Sequence, residues 1–312
     1  MDDVNLQRLY SHVEKDFIGG YYPVGINSVW HGGIHLRPKA DSVVGAFMDG
    51  KIVAARLAED QSDAYGHYGS RNFILLEHER GRNRFYSLYM HLKNLEMSSA
   101  NASLNLINWL GKDVAKSKSL DALKSGEVVK FDIAVHAGQA LWMSGEAGSL
   151  PKPGSSKNFR AKILHWEVFS GGNLFANADE NRGKWIAVED TDSDYNMDGD
   201  KIATMFPKQY FADKNLTADE LAKFYKENQG GQAEAMRWVA AKFVSEWGIP
   251  NVGKAVETLH GQGFLTFGLE SRLSKYLWWK DALAAEVLLP PKPHVWHYNP
   301  IKLIEEFMSE DF

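Results

Sequence analysis

The chain has 312 residues, 44% of them hydrophobic, and a formal net charge of −5 with no run of Lys and Arg. That length holds one large domain or two of ordinary size with a real core, and the acidic balance excludes an electrostatic nucleic-acid binder, which needs a basic stripe. The absence of cysteine excludes disulfides, thiolate metal sites and thiol nucleophiles, so any metal chemistry falls to His, Asp and Glu.

The start, Met1 to Tyr10, is acidic and then amphipathic, without the basic start and apolar centre of a secretory signal. No stretch approaches the roughly 18 to 20 apolar residues that cross a bilayer, so neither a membrane span nor the usual export route is expected. The first string with chemistry in it is Trp30-His31-Gly32-Gly33-Ile34-His35. Two histidines four apart arise by chance in roughly one chain in three of this composition, so the spacing carries little by itself.

Residues 42–47, 51–57, 72–78 and 84–91 read as strands, separated by turns at Asp49-Gly50 and Arg80-Gly81-Arg82-Asn83. The last of these strands ends in the second string, Leu88-Tyr89-Met90-His91-Leu92. Residues 99–127 are rich in Ser, Asn and Lys around Leu104 to Leu110 and read as a helical insertion. Strands resume at Val128, then at 139–143 and 162–169, the last carrying Ile163-Leu164-His165-Trp166-Glu167-Val168 after a Pro, Gly and Ser loop at 148–157. On a strand Ile163, His165 and Glu167 share one face.

Beyond about residue 188 the text turns polar and then helical. Asp194 to Asp200 begins like a calcium loop, but Met205 stands at the twelfth position where a bidentate Glu is required, which favours an Asx-rich turn. Thr217-Ala218-Asp219-Glu220 is a capping box, and its helix stops near Gly230-Gly231. Met236, Val239, Ala240, Phe243, Val244 and Trp247 follow helical spacing and predict a second helix ended by Gly248 and Pro250. Further helix is expected at 269–287 and 301–309, around a Pro-rich stretch and His294-Val295-Trp296-His297-Tyr298.

The three histidine strings, in this order and on these strands, resemble the lysostaphin and LytM-like zinc metallopeptidases, which cut peptide cross-links of bacterial peptidoglycan. The resemblance spans roughly residues 20 to 175. His31-Gly32-Gly33-Ile34-His35 stands for the family's His-x-Gly-x-Asp, with Ala46-Phe47-Met48-Asp49-Gly50 following it. Tyr89-Met90-His91-Leu92 stands for Tyr-x-His-Leu, Gly138-Gln139 for a Gly-Gln turn, and Ile163-Leu164-His165-Trp166-Glu167 for His-x-His-Phe-Glu.

The resemblance implies zinc held by His31, His35 and His165, with His91 as the catalytic histidine that handles protons during attack on a peptide carbonyl. His35 replaces a carboxylate, which leaves the site one charge more positive and the metal a stronger Lewis acid. Ile163 replaces a family histidine, and loss of one such donor costs roughly 10²- to 10³-fold in rate. His67 and His136 are candidate substitutes, and Glu167 is a candidate for orienting a ligand histidine.

The expected architecture is α+β: an antiparallel β-sheet metallopeptidase core of the duplicated hybrid motif type at 1–188, with a helical insertion at about 99–127, and a mainly α C-terminal domain at 189–312. The expected activity is zinc-dependent peptidoglycan endopeptidase. The alternative is a weak or inactive relative that binds cell-wall peptides or regulates an amidase. The tail at His294 to Pro300, together with the Trp30 to His35 string, also resembles antibacterial effectors made in the cytoplasm and passed by a type VI secretion machine into a rival's periplasm, and the missing signal fits that reading. An immunity protein and a secretion-machine component would then be partners.

Overall fold

The computed structural model describes residues 20–25, 29–39, 42–59, 69–95, 108–110, 118–149, 159–176, 184–191, 216–228, 231–261 and 268–308. Within them the fold is mixed α+β and mostly sheet. The chain divides into two compact units, one of residues 1–35, 167–277 and 292–312, the other of residues 36–166 and 278–291. It passes from the second unit to the first within one strand, Leu164–Ser170.

The second unit is an antiparallel sheet. Gly50–Arg56 pairs on one side with Asn72–Arg80 and on the other with Val129–Val135, and Asn72–Arg80 forms a hairpin with Asn83–Leu92. Arg80 faces Asn83 across a two-residue loop, where Gly81 supplies the positive φ of 60° that such a loop asks of its first residue. Two short antiparallel pairs complete the unit: Val43–Gly45 with Ala140–Met143, and Glu146–Ser149 with Phe159–Lys162.

Phe73, Ile74, Leu75 and Leu76 are all fully buried, so this strand is covered on both faces. Residues 278–291 supply part of the cover: Trp278 packs 4.8 Å from Phe73, Tyr86 Oη donates to Leu288 O at 2.6 Å, and Arg56 pairs with Asp281 at 3.1 Å. Burial lowers the Arg56 guanidinium to about 10 in spite of that partner. In the expected insertion, helix Lys118–Ser125 and a turn of 3₁₀ helix at Asn108–Leu110 form, the latter pinned by Trp109 Nε1 donating to Leu141 O at 2.6 Å.

The first unit builds sheet where the sequence predicts helix. Val239–Val244 is a strand, parallel to Ile186–Glu189 and antiparallel to His294–Tyr298, which in turn pairs with Val168, Phe169 and Ser170. Only Gln232–Arg237 of the expected second helix is helical. The reason is burial: five of the six residues of Val239–Val244 are buried, and an apolar run covered on both faces has no periodicity to separate strand from helix. The Pro-rich stretch likewise leads into a strand.

The capping box does form. Thr217 Oγ1 accepts from Glu220 N at 3.2 Å and Glu220 Oε2 accepts from Thr217 N at 2.9 Å, opening helix Ala218–Glu227. Helices Leu269–Ser274, Trp279–Ala284 and Pro300–Met308 fall in the expected C-terminal stretches. The core of the unit is aromatic: Trp30 stacks on Phe243 at 4.8 Å, Tyr21 on Tyr225 at 4.2 Å, and Tyr22 Oη donates to His297 O at 2.6 Å. Among the described residues no helix is long and apolar enough to cross a membrane.

Candidate metal centre

His31 is set by its neighbours on both sides. Its N–H donates to Pro23 O at 2.9 Å, while Trp30 is anchored by Nε1 donating to Asp190 Oδ2 at 2.7 Å. His35 follows on strand Gly33–Leu36, and the two imidazole rings lie 4.8 Å apart. His31 is buried and His35 half-buried. A carboxylate outside all three motifs meets the first of them: Glu246 Oε1 lies 3.2 Å from His31 Nδ1 and accepts from Gly32 N at 3.3 Å.

Glu167 is fully buried beside Gly32. Its Oε2 accepts from Trp247 Nε1 at 2.6 Å, and its Oε1 is 3.0 Å from Nε2 of His297, whose ring stacks on Phe243 at 3.9 Å. A Cβ at position 32 would stand 2.7 Å from Glu167 Oε1 and 2.7 Å from His297 Cδ2, so glycine is what lets the first motif approach this pair.

His91 is a non-glycine residue in the left-handed region, with φ of 65°. Its place in the strand is held by Gly145 N donating to His91 O at 2.8 Å. Its Nδ1 lies 2.7 Å from Ser70 O, and since a carbonyl only accepts, Nδ1 carries the hydrogen. In the neutral ring the lone pair is then on Nε2. Ser70 is itself fixed by its N–H donating to Glu146 O at 2.7 Å. Gly69, with φ of 82°, permits that approach, because a Cβ there would stand 2.1 Å from Glu146 O. The His91 and His165 rings lie 6.3 Å apart, almost perpendicular at 82°.

One ligand atom from each of His31, His35 and His165 lies within 4.8 Å of the others, so this group could hold a metal ion. The donor set suits zinc, which takes imidazole nitrogen at about 2.0–2.1 Å in tetrahedral geometry and leaves one position open in catalytic sites. Ile163 is fully buried. His136 is exposed beside Asp49 at 3.7 Å, and His67 lies outside the described residues, as does the Asp194 to Asp200 loop.

His78 is tied down at both ring nitrogens. Nδ1 donates to Asp49 O at 2.7 Å and Nε2 accepts from Ser87 Oγ at 2.7 Å, while burial lowers its pKa to about 4. That is a structural histidine. Glu246, Trp247 and His297 were not among the predicted site residues. Glu246 and Trp247 sit where the sequence reads as the end of a helix, and their part depends on a turn that follows a strand.

The chain matches no known family model and no curated protein. Among solved structures it matches the catalytic domain of the antimicrobial peptidase lysostaphin from Staphylococcus simulans, crystallised in the absence of phosphate. The identity is 25%, the match covers 53% of this chain and 85% of that one, and the TM-score is 0.28.

Proposed function

We propose that the protein is a zinc-dependent endopeptidase acting on the peptide cross-links of bacterial peptidoglycan, on a β core of the duplicated hybrid motif type. The observation that carries the reading is the meeting of His31, His35 and His165, drawn from two motifs far apart in the chain, with ligand atoms within 4.8 Å of one another. Their order and neighbours are those of the metallopeptidases the motifs resemble. Zinc held there would polarise the scissile carbonyl and activate water. His91 has its Nδ1–H engaged by Ser70 O, which leaves Nε2 to accept and return a proton. The Ser70 contact also fixes the ring plane, so His91 needs no reorganisation to act.

The buried Ile163, which stands where the family has a second histidine, favours the other reading: a relative that binds cell-wall peptides or regulates an amidase without turnover. We place the site of action in the periplasm of a rival cell, reached through a specialised secretion machine, with an immunity protein as the partner that would block it. The deciding experiment is metal analysis of purified protein together with muropeptide release from sacculi. Wild type is expected to carry one zinc and release peptides, and His165→Ala to lose both. Stoichiometric zinc with no release sinks the enzyme in favour of the binding module, and no zinc sinks the metallopeptidase.

A further inference from the structure

Glu246 is a carboxylate in contact with the first motif that no feature of the motifs announces. It sits in a tight turn just after strand Val239–Val244. That turn is fastened at both ends: Ser245 N donates to Pro293 O at 2.8 Å and Gly248 N to Ser245 O at 3.0 Å. The next residue, Trp247, is buried and locked by its 2.6 Å bond to Glu167. The Glu246 side chain is only 17% exposed, so its position is set by packing. It meets His31 through Oε1, 3.2 Å from Nδ1, and the same oxygen accepts from Gly32 N at 3.3 Å.

From this geometry we infer that Glu246 is a positioning residue for the metal centre, orienting the His31 imidazole so that its Nε2 is the ligand atom. A carboxylate oxygen at Nδ1 favours the tautomer with hydrogen on that nitrogen, which puts the lone pair on Nε2. Carboxylate partners of this kind fix ring orientation and raise the basicity of a ligand histidine. Glu246 also restores a negative charge beside a set of three neutral donors. His35 stands where the resembled family has an aspartate, and the charge lost there returns from residue 246. The strand and turn at 239–248, well outside the three motifs, thereby contribute to the site.

The inference rests on the zinc reading above, and the test separates the two. Zinc affinity is measured by competition with a chromophoric chelator for metal-free wild type, Glu246→Gln and Glu246→Ala, with thermal unfolding of each metal-free protein as the folding control. Glu246→Ala is expected to bind zinc on the order of 10–100-fold more weakly than wild type. Glu246→Gln keeps an oxygen acceptor at Nδ1, so it should recover part of that loss, and it carries the test should the alanine variant fail to fold. Cobalt(II) substituted for zinc is expected to keep its tetrahedral visible band intensity in both variants, because the carboxylate is not itself a ligand. Wild-type affinity in Glu246→Ala would overturn the role. A cobalt spectrum that loses a ligand in the variants would overturn it in the other direction, making Glu246 a direct ligand. Failure of wild type to take up zinc at all would instead remove the zinc reading, and this inference with it.

Discussion

His91 carries backbone strain at the position that the proposed function assigns to proton transfer. A positive φ costs a non-glycine residue about 1–3 kcal/mol, and here it is imposed on the histidine whose Nδ1–H is held by Ser70 O. His91→Ala is expected to keep the zinc content of wild type and to lower kcat for muropeptide release by about 10²- to 10⁴-fold, the worth of a positioned acid or base. Loss of zinc in this variant would show that the side chain serves the ligands and not the proton. His78 plays the opposite part. Its folded pKa of about 4 lies below the ordinary 6.5, so unfolding takes up a proton. Its contribution is whole above about pH 6.5 and is lost as pH falls toward 4, a change of about 3 kcal/mol. In His78→Asn, denaturant unfolding measured between pH 7 and 4 should depend less steeply on pH than in wild type, whatever the cost at neutral pH.

At the scale of elements, the first motif depends on the close approach of Gly32 to the buried Glu167 and His297 pair. Gly32→Ala puts a methyl carbon 2.7 Å from atoms that cannot simply swing away, since Glu167 is held by Trp247. The expected cost is about 1–3 kcal/mol in urea unfolding, with an unchanged slope. The strand Val239–Val244 teaches the limit of periodicity. Met236, Val239, Ala240 and Phe243 satisfy helical spacing, yet an apolar run with β-branched and aromatic members is also what a strand covered on both faces requires. Thr217 and Glu220, by contrast, act within four residues of chain, and their capping box is legible in the sequence and present in the structure.

At the scale of the whole molecule, the two compact units are not two successive halves of the chain. Residues 278–291 return to the sheet of the second unit, where Trp278 packs on Phe73 and Asp281 pairs with Arg56. Metal binding should be visible as stability. On the proposed function, zinc at 100 times its dissociation constant would stabilise the folded chain by about 2.7 kcal/mol, so chelation should lower the unfolding temperature and stop muropeptide release together, and added zinc should restore both. An unfolding temperature that does not respond to chelation would argue against zinc held by the folded chain.

The sequence by itself determined what is local: the strands between 42 and 91, the hairpin at Gly81, the capped helix, and the restriction of any metal chemistry to His, Asp and Glu in a chain with no cysteine. The resemblance of short motifs then named which histidines to watch. Only the tertiary structure decided that 239–244 and 294–298 pair as strands, the first because burial on both faces erases the period that marks a strand. Only it brought Glu246 to His31 and His297 to Glu167. Those contacts join residues more than a hundred positions apart, and no local spacing encodes a distance that packing of the whole unit sets.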